Sequence, residues 1–219
     1  MLGAVTRVDC VLTGRAVPFR GAERSAIQKR AANGSVRVGW LGLDGDEQAD
    51  LSVHGGPDKA IHHYAFDHYA LWAEKAPAHP KLSVPGAFGE NISTRGLTEE
   101  TVCIGDRFRL GTAFVEVSQP RQPCWKQAHV MEWTTLPKMM VREAKSGWYY
   151  RVIEEGAVAA GDAMTLEARP HPDWPVARVF GLVMHKTAVR DVEALRAIAA
   201  LEVLEAGWRE MAVALADTW

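Results

Sequence analysis

The segment SQPRQPCWK, residues 118–126, combines residue types that can do chemistry. Cys124 is flanked by the cations Arg121 and Lys126 and directly follows Pro123. Because proline is favourable in the first turn of a helix, Cys124 is expected at a helix N-terminus. There the helix dipole and the nearby cations favour a thiolate, which can act as a nucleophile or as a metal ligand. A free cysteine that packs near the end of a buried strand is the alternative.

The elements around this segment must bring the cysteine to an accessible edge. Alternation in AFVEVS places Ala113, Val115 and Val117 on one face of a strand that ends near Ser118. Other short strands are predicted in VTRVDCVL, SVRVGWLG, FGENIST, VCIGDRFRL, WYYRVIEEG and DAMTLEA, with glycine turns between them. Many short strands and few helices predict a mainly β fold, a closed or nearly closed β-barrel.

Helices are predicted at three places. Apolar residues at helical spacing indicate one amphipathic helix over residues 60–75, and residues 124–146 form two pieces divided near Pro137. After the proline-rich RPHPDWP, nearly everything is helix-compatible, which predicts a barrel domain over residues 1–170 and a three-helix appendage over residues 171–219. The appendage carries an apolar stripe that would pack within a small bundle or against the barrel. The stripe could equally bind a redox partner or a second copy of the chain. It comprises Leu195, Ile198, Leu201, Leu204, Trp208 and Trp219.

Composition excludes several classes of protein. A net charge of −2 over 219 residues gives no support for nucleic-acid or membrane binding, and no apolar run approaches the roughly 20 residues needed to span a bilayer. Three cysteines without CxxC spacing argue against a disulfide framework and a structural zinc site. The N-terminus lacks a secretory pattern, so a reducing cytoplasm is expected. One cation-rich stretch fits either an anion site or a solvated loop; it contains Arg15, Arg20, Arg24, Lys29, Arg30 and Arg37.

Two further motifs could contribute to a site. In HGGPDK, Gly55 and Gly56 would let a ligand approach the backbone, and Lys59 could bind phosphate, although the motif also suits a simple loop-to-helix connection. In FGEN, Glu90 and Asn91 could orient a ligand or satisfy a turn. Three histidines fall within the predicted 60–75 helix, but zinc needs three or four converging ligands, so a histidine metal site is disfavoured.

Four motifs in order resemble the MOSC domain, the domain also found at the C-terminus of molybdenum cofactor sulfurases, and in particular its YiiM-like branch, which is associated with resistance to 6-N-hydroxylaminopurine. They are HGGPDKAIHHY, FGENIST, IGDRFRLGTAFVEVSQPRQPCWK and SGWYYRVIEEG. The resemblance implies a MOSC-type barrel and a molybdopterin-type cofactor whose molybdenum is bound by Cys124. With the local chemistry it assigns catalysis to Cys124, Glu90 and His54, and cofactor binding to Lys59, Asn91, Arg121, Lys126, Gly55 and Gly56.

The reaction implied by the resemblance is reduction of N-hydroxylated bases or related small molecules by an enzyme with molybdenum cofactor. His62 joins Glu90 and His54 as a candidate proton donor. Because the sequence has no Rossmann glycine motif and no iron–sulfur cysteine set, electrons are expected from an external flavoprotein. One alternative is a non-redox carrier of sulfur, as a persulfide, or of the cofactor. Another is a barrel in which Lys59 and Arg121 bind pyridoxal phosphate or a nucleotide.

Overall fold

The structure, a computed structural model, describes residues 3–50, 55–185 and 191–218. The strands in these ranges are β1 (Val5–Thr13), β2 (Val17–Arg20), β3 (Glu23–Ser25), β4 (Arg30–Ala31), β5 (Val36–Gly39), β6 (Gly42–Leu43), β7 (Ile61–Ala65), β8 (Ile92–Thr94), β9 (Arg107–Leu110), β10 (Ala113–Pro120), β11 (Trp148–Glu154), β12 (Gly156–Val158) and β13 (Ala163–Ala168). The helices are α1 (His68–Lys75), α2 (Trp125–Val130), α3 (Leu136–Glu143), α4 (Val176–Met184), α5 (Val192–Ala199) and α6 (Ala206–Ala216). Short 3₁₀ turns occur at Pro57–Lys59 and Pro80–Leu82.

Seven of the strands close into a barrel in the order β13-β9-β10-β11-β7-β8-β1, and β1 pairs back onto β13. Neighbours pair antiparallel except β7 and β8, which run parallel with His63 opposite Ile92. The predicted closed barrel is therefore confirmed. The predicted inward face of β10 is also confirmed, because Ala113, Val115 and Val117 are fully buried in the core.

The prediction of one helix over residues 60–75 is wrong in its first half. Ile61–Ala65 is the strand β7, and α1 begins only at His68. All five residues of β7 are buried, because the strand lies between β11 and β8 and is covered on both faces. A short strand that is buried on both faces shows no alternation of polarity, so periodicity alone does not distinguish it from a helix.

The two helical pieces predicted within residues 124–146 are confirmed as α2 and α3, and the three C-terminal helices are confirmed as α4, α5 and α6. The break between the first two lies at residues 131–135 and not near Pro137, because Pro137 occupies the first turn of α3, where a missing N–H costs nothing. Their stripe is buried, and Trp208 and Phe180 share one apolar core with the barrel residue Val115. The backbone N–H of Glu205 donates to Ser118 O at 3.0 Å, which ties the start of α6 to β10. Trp219 lies outside the described residues. A domain boundary at residue 170 stays a prediction.

Within the described ranges, none of the helices has the length and apolar character that a bilayer crossing requires.

Candidate functional site

Cys124 lies where β10 gives way to α2. Its backbone is extended (φ −123°, ψ 162°), and it occupies the position immediately before the first residue of the helix, as the proline pattern predicts. Its side chain makes no capping hydrogen bond, so the sulfur is not committed to the helix end. Arg121 Nη2 lies 3.8 Å from Cys124 Sγ, which is within hydrogen-bonding reach of sulfur. The turn is fixed by the Arg121 N–H, which donates to Gly147 O at 2.9 Å.

A cavity of about 600 Å³, including its open mouth, lies beside this cysteine. Four cationic side chains line it, and three of them were predicted as cofactor-binding residues: Lys29, Lys59, Arg121 and Lys126. The wall also contains His62, Asn91 and Tyr149, together with acidic residues of the 46–50 segment. The predicted residues Cys124, Lys59, Asn91, Arg121 and Lys126 therefore meet around one space. This wall, with four cations against three acids and with Arg121 beside the thiol, is suited to a ligand that carries an anionic group.

Two buried polar atoms in the cavity wall have no hydrogen-bond partner among the residues that the structure describes. They are Arg121 Nη1 and His62 Nε2, on side chains whose residues are only 4 % exposed. A buried donor without a partner costs about 1–3 kcal/mol, and more when it is charged. A bound water, an ion or a polar ligand group would satisfy such atoms.

His62 projects from β7 towards the cavity, while its neighbour His63 on the opposite face of the strand lies in the core. The His62 ring lies 5.2 Å from the Tyr149 ring between centroids. Burial, with the positive charge of Arg121 second, holds the pKa of His62 well below its ordinary value, so the ring is neutral near pH 7. Burial raises the pKa of Tyr149, against the opposing effect of Arg121.

One wall of the cavity is held by a network centred on Asp46. Its carboxylate pairs with the ammonium of Lys29, accepts from Gly14 N at 2.8 Å and accepts from Asn91 Nδ2 at 2.8 Å. Asn91 Oδ1 accepts from His62 N at 3.0 Å, so the amide links Asp46 to β7. Asn91 is thus placed to hold the wall in shape, and Asp46 was not predicted from the sequence.

Glu90 is fully buried but is not part of the cavity wall. Its carboxylate accepts hydrogen bonds from Tyr69 OH at 2.5 Å, Gly86 N at 2.7 Å and Phe88 N at 3.0 Å. Burial raises the pKa of Glu90, although these three donors oppose the shift. The structure therefore places this predicted catalytic residue inside the loop that precedes β8, and does not bring it to the thiol.

The described part of the HGGPDK motif, residues 55–59, ends in the 3₁₀ turn Pro57–Lys59. Gly56 has φ +96°, a conformation that favours glycine, and Gly55 beside it is half-buried. Asp58 Oδ1 accepts from Arg151 Nε at 2.6 Å, which anchors the turn to β11 and leaves Lys59 beside the cavity. His54, the third predicted catalytic residue, lies outside the described residues.

Lys126 lines the cavity, but its ammonium does not approach the sulfur as expected. It donates to Arg24 O at 3.2 Å and lies 3.3 Å from the Glu23 carboxylate. Of the two cations that flank Cys124 in the sequence, Arg121 is therefore the one that contacts its sulfur.

His68, the third histidine of the segment 60–75, pairs with Glu99 at 2.5 Å. Together with Glu100 these side chains form a group close enough to share a metal ion, yet none of the three lines the cavity.

Two wall residues, Lys29 and Asp46, were not predicted individually as parts of the site. Lys29 appeared only as one member of a cation-rich stretch, and Asp46 only as part of a turn. The sequence leaves open whether Trp148, Tyr149 and Arg151 line a pocket or belong to the core. Tyr149 lines the cavity and alternates on β11 with the core residues Trp148 and Tyr150, as the period of two in a strand requires.

The fold and site together define a barrel domain with one cysteine among cations at its mouth. The MOSC domain model matches residues 50–165, and the chain belongs to this family. Protein YiiM of Escherichia coli (strain K12) is 44% identical over 159 residues, covering 73% of this chain and 71% of that protein. A protein of Gibberella moniliformis named Reductase is 41% identical over 160 residues, or 73% of this chain but 28% of that protein. The crystal structure of YiiM from Escherichia coli superimposes with a TM-score of 0.81 at 32% identity, covering 98% of this chain and 94% of the other.

These likenesses connect the chain to a function related to the molybdenum cofactor.

Proposed function

We propose that this protein is a reductase that uses the molybdenum cofactor to convert N-hydroxylated bases or related compounds to amines, with Cys124 as the protein ligand to the metal. One observation carries the proposal. The thiol of Cys124 borders a cationic cavity in which a buried guanidinium nitrogen of Arg121 has no partner among the described residues.

The residues present fit such a cofactor. A thiolate is a soft ligand that suits a redox metal. Lys29, Lys59 and Arg121 would face an anionic pterin phosphate, for which the planar guanidinium of arginine offers paired donors. The unpartnered Arg121 Nη1 and His62 Nε2 would bind polar atoms of the pterin. Only one protein ligand is needed, so a solitary cysteine is no objection.

When bound, the cofactor supplies the two-electron chemistry that reduces the N–O bond. In the balanced reaction, R–NHOH takes up two electrons and two protons and gives R–NH₂ and water. Cys124 would anchor the metal, and Arg121 would compensate negative charge next to the sulfur. Of the predicted proton donors in the described ranges, His62 borders the cavity and Glu90 does not. Because the His62 ring is neutral, it would relay a proton from solvent instead of storing one.

The electrons are proposed to come from a separate flavoprotein, because the motifs of a flavin-binding or iron–sulfur domain are not recognisable in the sequence. The match to the fungal Reductase supports this idea, since it covers only 28% of that longer protein. We further propose a cytoplasmic location, for which the three unpaired cysteines, Cys10, Cys103 and Cys124, are suited.

The test is molybdenum and pterin analysis of protein made in cells that synthesise the cofactor. Wild type should carry both in stoichiometric amount, and Cys124→Ser should lose the molybdenum. Cys103→Ser is the matched control, because Cys103 is buried in the segment just before β9 and does not line the cavity. Equal molybdenum in Cys124→Ser and wild type would contradict the proposal. A labile sulfur on Cys124 without molybdenum would favour the sulfur carrier instead.

A further inference from the structure

Cys124 borders a second cavity on the side of the C-terminal helices. This cavity measures about 760 Å³ with its mouth, within the usual range for small-molecule sites. It lies between the turn that follows β10 and the first two turns of α6. Its principal lining residues are Gln119, Gln122, Tyr149, Gly207, Trp208 and Met211. Cys124, Lys59 and Tyr149 line both cavities, so the thiol lies at their junction.

The helix wall of this second cavity is fixed by specific contacts with β10. Trp208 Nε1 donates to Gln119 Oε1 at 3.1 Å, and the Trp208 N–H donates to the carboxylate of Glu205 at 3.1 Å. One turn further along α6, Met211 Sδ lies 3.4 Å from Gln122 Nε2, across the space between helix and turn. The wall is therefore preformed, which limits the entropic cost of binding a ligand there.

The two cavities differ in charge. Four cationic and three acidic side chains line the first, a formal excess of one positive charge, whereas the described lining of the second has one cation, Lys59, and one acid, Glu205. Its surface is an indole, a thioether, a proline and a tyrosine ring with two amide side chains. Trp208 and Gln119 are almost fully buried, and the Gln119 amide is engaged with the Trp208 indole and with Asp58 O. The accessible lining is therefore the Tyr149 ring, the Met211 thioether and the Gln122 amide. The ring and the thioether suit the faces of an aromatic ring, and Gln122 offers hydrogen bonds to ring nitrogens.

We propose that this second cavity binds the base of the substrate, a neutral, planar nitrogen heteroaromatic such as an N-hydroxylated purine, with its hydroxylamino group towards Cys124. The proposal rests on the proposed function for the identity of the substrate. It gives the C-terminal helix α6 a part in substrate specificity, while the cationic cavity binds the cofactor.

Two substitutions on α6 fill this cavity from its helix wall. Gly207→Leu adds a side chain where the nearest atoms belong to the flexible Glu205 carboxylate, at 3.1 Å, and Met211→Trp enlarges a half-buried side chain. Val213→Trp is the matched control, since Val213 is 46% exposed on the same helix and lines neither cavity. The measurement is the affinity of molybdenum-loaded protein for 6-N-hydroxylaminopurine and for adenine by calorimetry, with molybdenum content determined on the same samples.

We expect both cavity-filling variants to bind the two bases at least ten-fold more weakly than wild type, with unchanged molybdenum, while Val213→Trp matches wild type. Unchanged base affinity in both variants, or no base binding by wild type, would overturn the inference. So would a parallel loss of molybdenum in both, because the cavities would then not act separately. If wild type lacks molybdenum but the bases still bind in this pattern, the proposed function fails and the base site stands. Thermal unfolding identifies a variant that misfolds, and the other variant then decides.

Discussion

Acidification should destabilise the protein through His63. Its ring is fully buried in the core, where Nδ1 lies 3.0 Å from Tyr150 OH and Nε2 lies 2.9 Å from Thr94 Oγ1. Burial lowers the pKa of His63 from 6.5 to about 3. The unfolded chain therefore binds a proton at His63 below pH 6.5 that the folded chain does not, and the free energy of unfolding falls as the pH falls through this window.

The size of the effect follows from proton linkage. At pH 4.5 the unfolded histidine is two units below its pKa, so the folded state loses about 2.7 kcal/mol relative to neutral pH. The full effect approaches about 4.8 kcal/mol only when the pH falls below the native pKa. The value at pH 4.5 barely depends on the native pKa, provided that this pKa lies well below 4.5.

The assay is urea unfolding of wild type and His63→Gln at pH 7 and pH 4.5. The variant loses core contacts at both pH values, but it lacks the titrating ring. The stability advantage of wild type over the variant should therefore shrink by about 2.7 kcal/mol between pH 7 and pH 4.5. His129→Gln, at an exposed position, controls for loss of an imidazole in general. An advantage that stays constant over this range would refute the neutral, buried state of His63.

Two further predictions concern the walls of the site. In urea titrations, Asp46→Asn should destabilise the protein by about 3–5 kcal/mol, because it leaves the buried Lys29 charge without its partner. Arg15→Ala, which removes one side of an exposed ion pair, should have a much smaller effect. Gly147→Ala should lower the free energy of unfolding by about 3 kcal/mol or more, because Gly147 has φ +79° and the new Cβ would lie 2.3 Å from a backbone oxygen. Gly161→Ala, at φ +91°, meets open space and should cost only about 1 kcal/mol of backbone strain. Thermal unfolding compares the two variants.

Local signals in the sequence were sufficient for much of the fold. The alternation of β10 and the proline before Cys124 depend on neighbours along the chain, and both predictions are confirmed. The 60–75 helix failed because β7 is buried on both faces by strands that are distant in sequence. Strand limits also shifted, since FGENIST becomes a strand only at Ile92, after the loop that Glu90 holds together.

The site was predictable in its cysteine and Arg121, and less so in its walls. Asp46 reaches Lys29 and Asn91 only because the barrel folds these segments together, and no local pattern reports a contact over 45 residues. The sequence predicts Glu90, directly after the glycine of FGEN, as a catalytic residue. Its carboxylate instead accepts hydrogen bonds from the backbone N–H groups of Gly86 and Phe88 in its own loop. The second cavity needed the docking of α6, which an apolar stripe alone does not specify.

The central claim is that the Cys124 thiolate is bound directly to molybdenum. X-ray absorption at the molybdenum edge tests it, on wild type and Cys124→Ser purified from cells that make the cofactor. We expect the molybdenum in wild type to have one more sulfur neighbour than the molybdenum that remains in Cys124→Ser. Identical sulfur coordination in the two proteins, or wild type without molybdenum, would contradict the account.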